Sequence, residues 1–167
     1  MLRINFLMTA VAALVPLVIG FIWYNPKIFG KAWMNASGMT EEKAKGANMA
    51  VVFGVTYLVS FLVALVLNFS VIHQFSVMSV LVNEPGFGQE GSEINTYFMD
   101  FMAKYGNNFR TFKHGALHGF TTGLLLITPV ITVNALFERK GFKYIALNSG
   151  FWIVSLAIMG GIICASV

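Results

Sequence analysis

From Gly46 to Asn83 the chain reads GANMAVVFGVTYLVSFLVALVLNFSVIHQFSVMSVLVN, without one Asp, Glu, Lys or Arg. A bilayer core takes roughly 20 apolar residues at about 1.5 Å rise each. This tract is long for one crossing and short for two joined by a turn, so it reads as one span with a tail. Three further charge-free tracts run from Ile4 to Pro26, from His114 to Phe137 and from Tyr144 onward. Each has the length of a single crossing. Hydrophobic residues make up 57% of the chain and charged residues 11%, against about 25% charged in a soluble domain. A chain of 167 residues cannot hide that much apolar surface in one water-soluble core. The fold class is therefore an all-α integral membrane protein with four transmembrane helices. Residues 1–167 read as a single domain whose first partner is the lipid bilayer.

The formal net charge of +4 belongs to residues flanking the spans, where it serves topology and anionic headgroups. No aromatic-basic patch points to nucleic acid. Cys164 is the only cysteine, which excludes an intrachain disulfide and fits a small apolar filler. Ala10, Val11 and Ala12 have the small-x-small form of a cleavage site. The apolar stretch before them is too short for a signal peptide, so the first tract reads as an uncleaved span.

Span 1 is expected over Ile4 to Tyr24, with a kink at Pro16. It ends where Trp23 and Tyr24 suit the headgroup boundary and Pro26 turns the preceding residue away from helix. Thr40 ahead of Glu41 and Glu42 reads as a helix N-cap, and span 2 enters the membrane near Met49, leaving between Asn68 and Met78. The second loop, about Val80 to Phe112, begins irregularly. Ser92 then caps an amphipathic helix over Glu93 to Tyr105, with Tyr97, Phe98, Phe101, Met102 and Tyr105 as its apolar stripe. This helix is expected to lie at the membrane interface. Span 3 runs from about His114 to Phe137 and span 4 from about Phe142, joined by the charged turn Glu138, Arg139, Lys140 and Gly141.

One segment is more specific than hydropathy. Gly20-Phe21-Ile22-Trp23-Tyr24-Asn25-Pro26-Lys27-Ile28-Phe29-Gly30-Lys31-Ala32-Trp33 resembles the signature of a bacterial membrane family known as domain of unknown function 1761. Gly38, Glu41 and Glu42 fit the continuation of that signature. The resemblance implies a small membrane protein of about four spans and of unassigned activity, and the bacterial cytoplasmic (inner) membrane is its expected location. It transfers no catalytic residue.

Three histidines are the ionisable groups in or bordering the spans. His114 and His118 stand four apart on span 3 and share a face, and His73 lies near the exit of span 2 on the same side of the membrane. Neutral imidazoles suit zinc, copper or haem iron. Yet two histidines at this spacing are common, and no acid or cysteine completes the set, so neither cofactor nor bound metal is expected. Gly115, Gly119 and Gly123 form a small-xxx-small seam that lets another backbone approach, within the chain or from another copy. No carboxylate lies in a span, and no Walker loop, nucleophile elbow or His-Glu-x-x-His motif is present. The leading reading is a non-enzymatic oligomeric or accessory membrane subunit, a homo-oligomer or a member of a membrane complex, packing through span 3. A small oligomeric transporter or channel is the alternative, and a metal- or haem-binding membrane protein the third.

The first and third loops hold Lys27, Lys31, Lys43, Lys45, Arg139, Lys140 and Lys143, and the other side holds Arg3, Lys104, Arg110 and Lys113. By the positive-inside rule, the termini and the second loop face outside. Reporter fusions after Lys45 and after Lys140 should both behave as cytoplasmic. Export of either would invert the topology or change the span count.

Overall fold

The computed structural model describes residues 3–166. The chain is helical in the order α1 (Phe6–Ala12), α2 (Val15–Trp23), α3 (Gly30–Ser37), α4 (Glu41–Lys45), α5 (Met49–Val71), α6 (Gln74–Leu81), α7 (Glu93–Tyr105), α8 (Phe112–Thr122), a π-helical turn (Gly123–Ile127), α9 (Thr128–Phe137) and α10 (Phe142–Ala165). Four stretches are long and apolar enough to cross a membrane: Phe6–Trp23, Met49–Val71, Phe112–Phe137 and Phe142–Ala165.

Two spans are interrupted. In span 1, α1 ends at Ala12 and α2 restarts with Pro16 in its first turn, where a missing N–H costs least. In span 3 the helix widens to a π-turn just before Pro129. The proline cannot donate to the carbonyl one turn back, and its ring crowds that carbonyl, so an extra residue in the turn relieves both. Thr128 Oγ donates to the Gly123 carbonyl at 2.9 Å and closes the widened turn.

Span 4 is the axle of the bundle. In its most apolar stretch 56% of residues are buried, against 28%, 17% and 11% for spans 1, 2 and 3. Its tightest partner is α8. A Cβ built on Gly119 would collide with the Leu156 carbonyl group, one on Gly115 with that of Gly160, and one on Gly123 would sit 2.7 Å from the Ile153 Cα. Gly160 returns the fit, since a Cβ there would meet the Gly115 carbonyl and, at 3.3 Å, the Gly119 Cα. The seam is thus filled by span 4 of the same chain, backbone on backbone. In a bilayer, where apolar burial between helices brings little, such close packing is what holds them together. On the other side of α10, Leu156, Met159, Ile163 and Cys164 pack with Ala12, Ala13, Ala64, Leu67 and Val71. Within this apolar layer the Asn68 Nδ2 donates to Thr9 Oγ at 3.1 Å and to the Ala64 carbonyl at 2.9 Å, tying span 2 to span 1.

The first loop is clasped to the start of α10. Trp23 Nε1 donates to the Leu147 carbonyl (3.1 Å), and Trp33 Nε1 and Tyr24 OH donate to Asn148 Oδ1 (3.2 and 3.4 Å). The rings stack on one another: Trp23 on Phe29, Tyr24 on Trp33 and on Phe151. Burial, with Tyr144 nearby, pushes the Tyr24 phenol up to about 12, so it stays a donor. Gly30 permits the tight return, because a Cβ there would fall on the backbone of Tyr24 and Asn25.

At the opposite end, span 2 stops at Val71, Ile72 is extended, and α6 begins after His73. In α7, Phe98 is buried and packs on Phe87, Phe101 and Met102 are half-buried, and Tyr97 and Tyr105 are exposed. The helix is amphipathic, with a narrower covered face than the five-residue stripe read from the sequence. Phe98, Met99 and Met102 line a cleft of about 500 Å³ with Ile4 and Asn5 ahead of α1 and Ser166 beyond α10, which puts α7 over that end of the bundle.

Gly119→Leu should lower the folded fraction in detergent by about 3 kcal/mol without releasing a clean monomer from any assembly, read by denaturant titration and mass analysis. Normal folding would refute the same-chain seam. Asn148→Leu, which strands the Trp33 and Tyr24 donors, should cost about 1–3 kcal/mol and shift the tryptophan emission.

Candidate functional site

The histidines come together at the end of the bundle that carries the second loop. His73 is the N-cap residue of α6. His114 and His118 lie in the first turns of α8, whose N-cap Thr111 accepts from the His114 amide at 3.3 Å. Nε2 of His73 lies 2.8 Å from Nε2 of His114, a hydrogen bond whose donor depends on tautomer. The ring centroids are 5.0 Å (His73 and His114), 4.8 Å (His73 and His118) and 4.5 Å (His114 and His118) apart. One ligand nitrogen from each ring falls within 4.8 Å of the others.

Several contacts fix the two segments that carry these rings. Cys164 lies beneath both, its Sγ 3.2 Å from the Val71 carbonyl oxygen and 3.3 Å from that of Phe109, which share its single S–H. Gln74 Nε2 donates to the Asn108 carbonyl at 2.9 Å and the Tyr105 carbonyl at 3.4 Å. Arg110 reaches the end of α10, with Nε on the Cys164 carbonyl (2.9 Å) and Nη2 on the Ser166 carbonyl (2.7 Å). A cation there complements the helix C-terminus. Burial lowers the Arg110 guanidinium from its ordinary value, which leaves it a cation at neutral pH. Phe109, at φ 62°, makes the sharp entry to α8, and its ring lies 5.1 Å from that of His114.

Three imidazole nitrogens around a tetrahedral ion with bonds of about 2.0–2.1 Å stand roughly 3.3 Å apart. The His73 and His114 Nε2 atoms stand closer than that, at 2.8 Å, and all three ligand nitrogens lie within 4.8 Å of one another. His73 is exposed and His114 and His118 are half-buried. Among the described residues no further His, Cys, Asp or Glu joins the group.

The other residues singled out in the sequence lie elsewhere. Gly115, Gly119 and Gly123 face α10. Of the family-like motif, Trp23, Tyr24, Phe29, Gly30 and Trp33 build the aromatic clasp, while Pro26 and Lys31 are exposed on it and Gly20 faces Phe151. The positioning roles of Gln74, Phe109 and Arg110 escaped the sequence reading. The adjacent polar pair His73 and Gln74 in this charge-free tract was the available sign that span 2 stops there.

No curated protein and no solved structure matches the chain. The family model described as "Protein of unknown function (DUF1761)" matches residues 7–164, which takes in the clasp, the glycine seam and all three histidines. The chain therefore belongs to that family.

Proposed function

We propose that this membrane protein binds a first-row transition metal ion, zinc or copper in character, through His73, His114 and His118. The observation that carries this is the convergence of three ligand nitrogens within 4.8 Å on segments held from behind by Cys164, Gln74 and Arg110. Imidazole nitrogen suits these ions and not the oxygen-seeking ones. The proposal reverses the expectation of no metal, because linear spacing had offered only the pair on span 3 as a geometric unit. By the basic-residue asymmetry the site would face the outside of a bacterial inner membrane, with the exposed Tyr97 and Met99 of α7 at headgroup level.

An oligomeric or accessory role would have to use a face other than the glycine seam, which α10 occupies. The apolar, exposed sides of spans 2 and 3, with Leu58, Leu62, Val66, Leu117 and Leu125, suit lipid or a neighbouring helix equally.

Purified protein incubated with zinc or copper(II) should retain about one ion per chain, read by elemental analysis after desalting. Replacing His73, His114 or His118 by Ala should each weaken binding at least about a hundredfold, beyond what loss of an outer-shell contact costs. Retention unchanged in the triple variant, or no retention at all, would remove the proposal.

A further inference from the structure

Beside the histidines lies a cavity of about 360 Å³ whose wall includes His73, Gln74, Val77, Phe101, Tyr105 and Phe109. Two features connect it to the ligand set. His73 is part of its wall, and Phe109, also in the wall, stacks beside His114. The chain supplies three nitrogens and, among the described residues, no fourth His, Cys, Asp or Glu in the group. Cys164, the lone thiol, is buried and turned to the Val71 and Phe109 carbonyls. A three-ligand site of this kind keeps a coordination position for water or an incoming ligand, whereas a structural site closes all four.

Gln74, one of the wall residues, also carries an unmatched polar atom. Gln74 is 5% exposed. Its Nε2 is committed to the Asn108 and Tyr105 carbonyls, and its Oε1 is buried without a hydrogen-bond partner. Such an acceptor is costly unless something donates to it. Apart from His73 and Asn108, the rest of the wall is aliphatic and aromatic.

Resting on the metal-site reading above, we propose that the bound metal keeps an exchangeable fourth position facing this cavity. It takes a small molecule with a nitrogen or oxygen donor head, an adjacent N–H or O–H, and an apolar body. The head displaces water from the metal, the N–H or O–H has Gln74 Oε1 as its acceptor, and the body packs among Val77, Phe101, Tyr105 and Phe109. An azole meets all three demands, since it offers a bare nitrogen and an N–H on one ring.

The test uses the full chain in detergent, loaded with cobalt(II), whose visible absorption reports coordination. Imidazole and 4-phenylimidazole are titrated in turn. Both should change the spectrum, and the phenyl compound should bind at least about tenfold tighter because its ring leaves water for the cavity. Val77→Phe, which fills the cavity, and Tyr105→Ala, which removes one wall, should keep cobalt and its starting spectrum while erasing most of that preference. Partition of the phenyl compound into micelles is common to all three proteins and cancels in the comparison. Cobalt retained with a spectrum that neither azole alters would overturn the exchangeable position. Equal binding of the two azoles, or a preference untouched in both variants, would overturn the cavity's part. Failure to retain cobalt would overturn the three-histidine site itself, and this inference with it.

Discussion

The backbone contact between α8 and α10 is the constraint on which the other features depend. Leu156, Ala157, Gly160 and Ile153 present main-chain atoms where Gly115, Gly119 and Gly123 have no side chain. No compression of side chains could give that spacing, and in lipid no apolar drive would replace it. The seam also sets the rotation of α8. With the glycines turned to α10, His114 and His118, each one residue before a seam glycine, are turned partly outward along one edge. There His73, at the break between α5 and α6, can reach them. The meeting of the three histidines is thus a by-product of which face of α8 must be bare.

The end of the bundle that holds the histidines is built to keep its loops still. The break at Ile72 and the sharp turn at Phe109 would free both ring-bearing segments if nothing held them. Cys164 Sγ meets a carbonyl from each, and Arg110 anchors the approach to α8 on the last carbonyls of α10. Buried and bonded to main chain, Cys164 has a positional role that its small volume permits and that a larger apolar residue could not fill. These contacts join parts of the chain 54 to 93 residues apart, so local propensity does not specify them.

That separation explains what could be read from the sequence and what could not. The four spans were legible because the bilayer imposes a rule on every residue of a crossing, and charge-free tracts betray it. The caps at Thr40 and Ser92 were legible because the hydroxyl and the amides it serves lie within three residues. The exit of span 2 was left open over ten residues, since an apolar tract does not say where its helix ends. The π-turn needed Pro129 to be weighed against the carbonyl it crowds. The three histidines were visible as residues on one side of the membrane. Their meeting was not, because it depends on the α8 rotation and on a partner 41 residues away.

The aromatic motif and the histidines occupy opposite ends of the same helix. Asn148, which receives the clasp, and Cys164, which lies under the histidines, are both on α10. At 1.5 Å per residue they stand about 24 Å apart, most of a hydrocarbon core. The aromatic motif is therefore spent on architecture. Its indole and phenol donors are satisfied by Leu147 and Asn148, its rings by one another, and its glycine by a tight return. At the other end the balance is different. Three imidazoles face each other with donor roles unfixed, one carboxamide oxygen is unmatched, and an aromatic-walled cavity lies alongside. Buried hydroxyls of Ser60, Ser149 and Ser155 are unpartnered too, but only Gln74 Oε1 belongs to a residue beside the histidines. The glycine seam and the clasp hold the bundle, and the proposed metal site lies at the end that the clasp does not close.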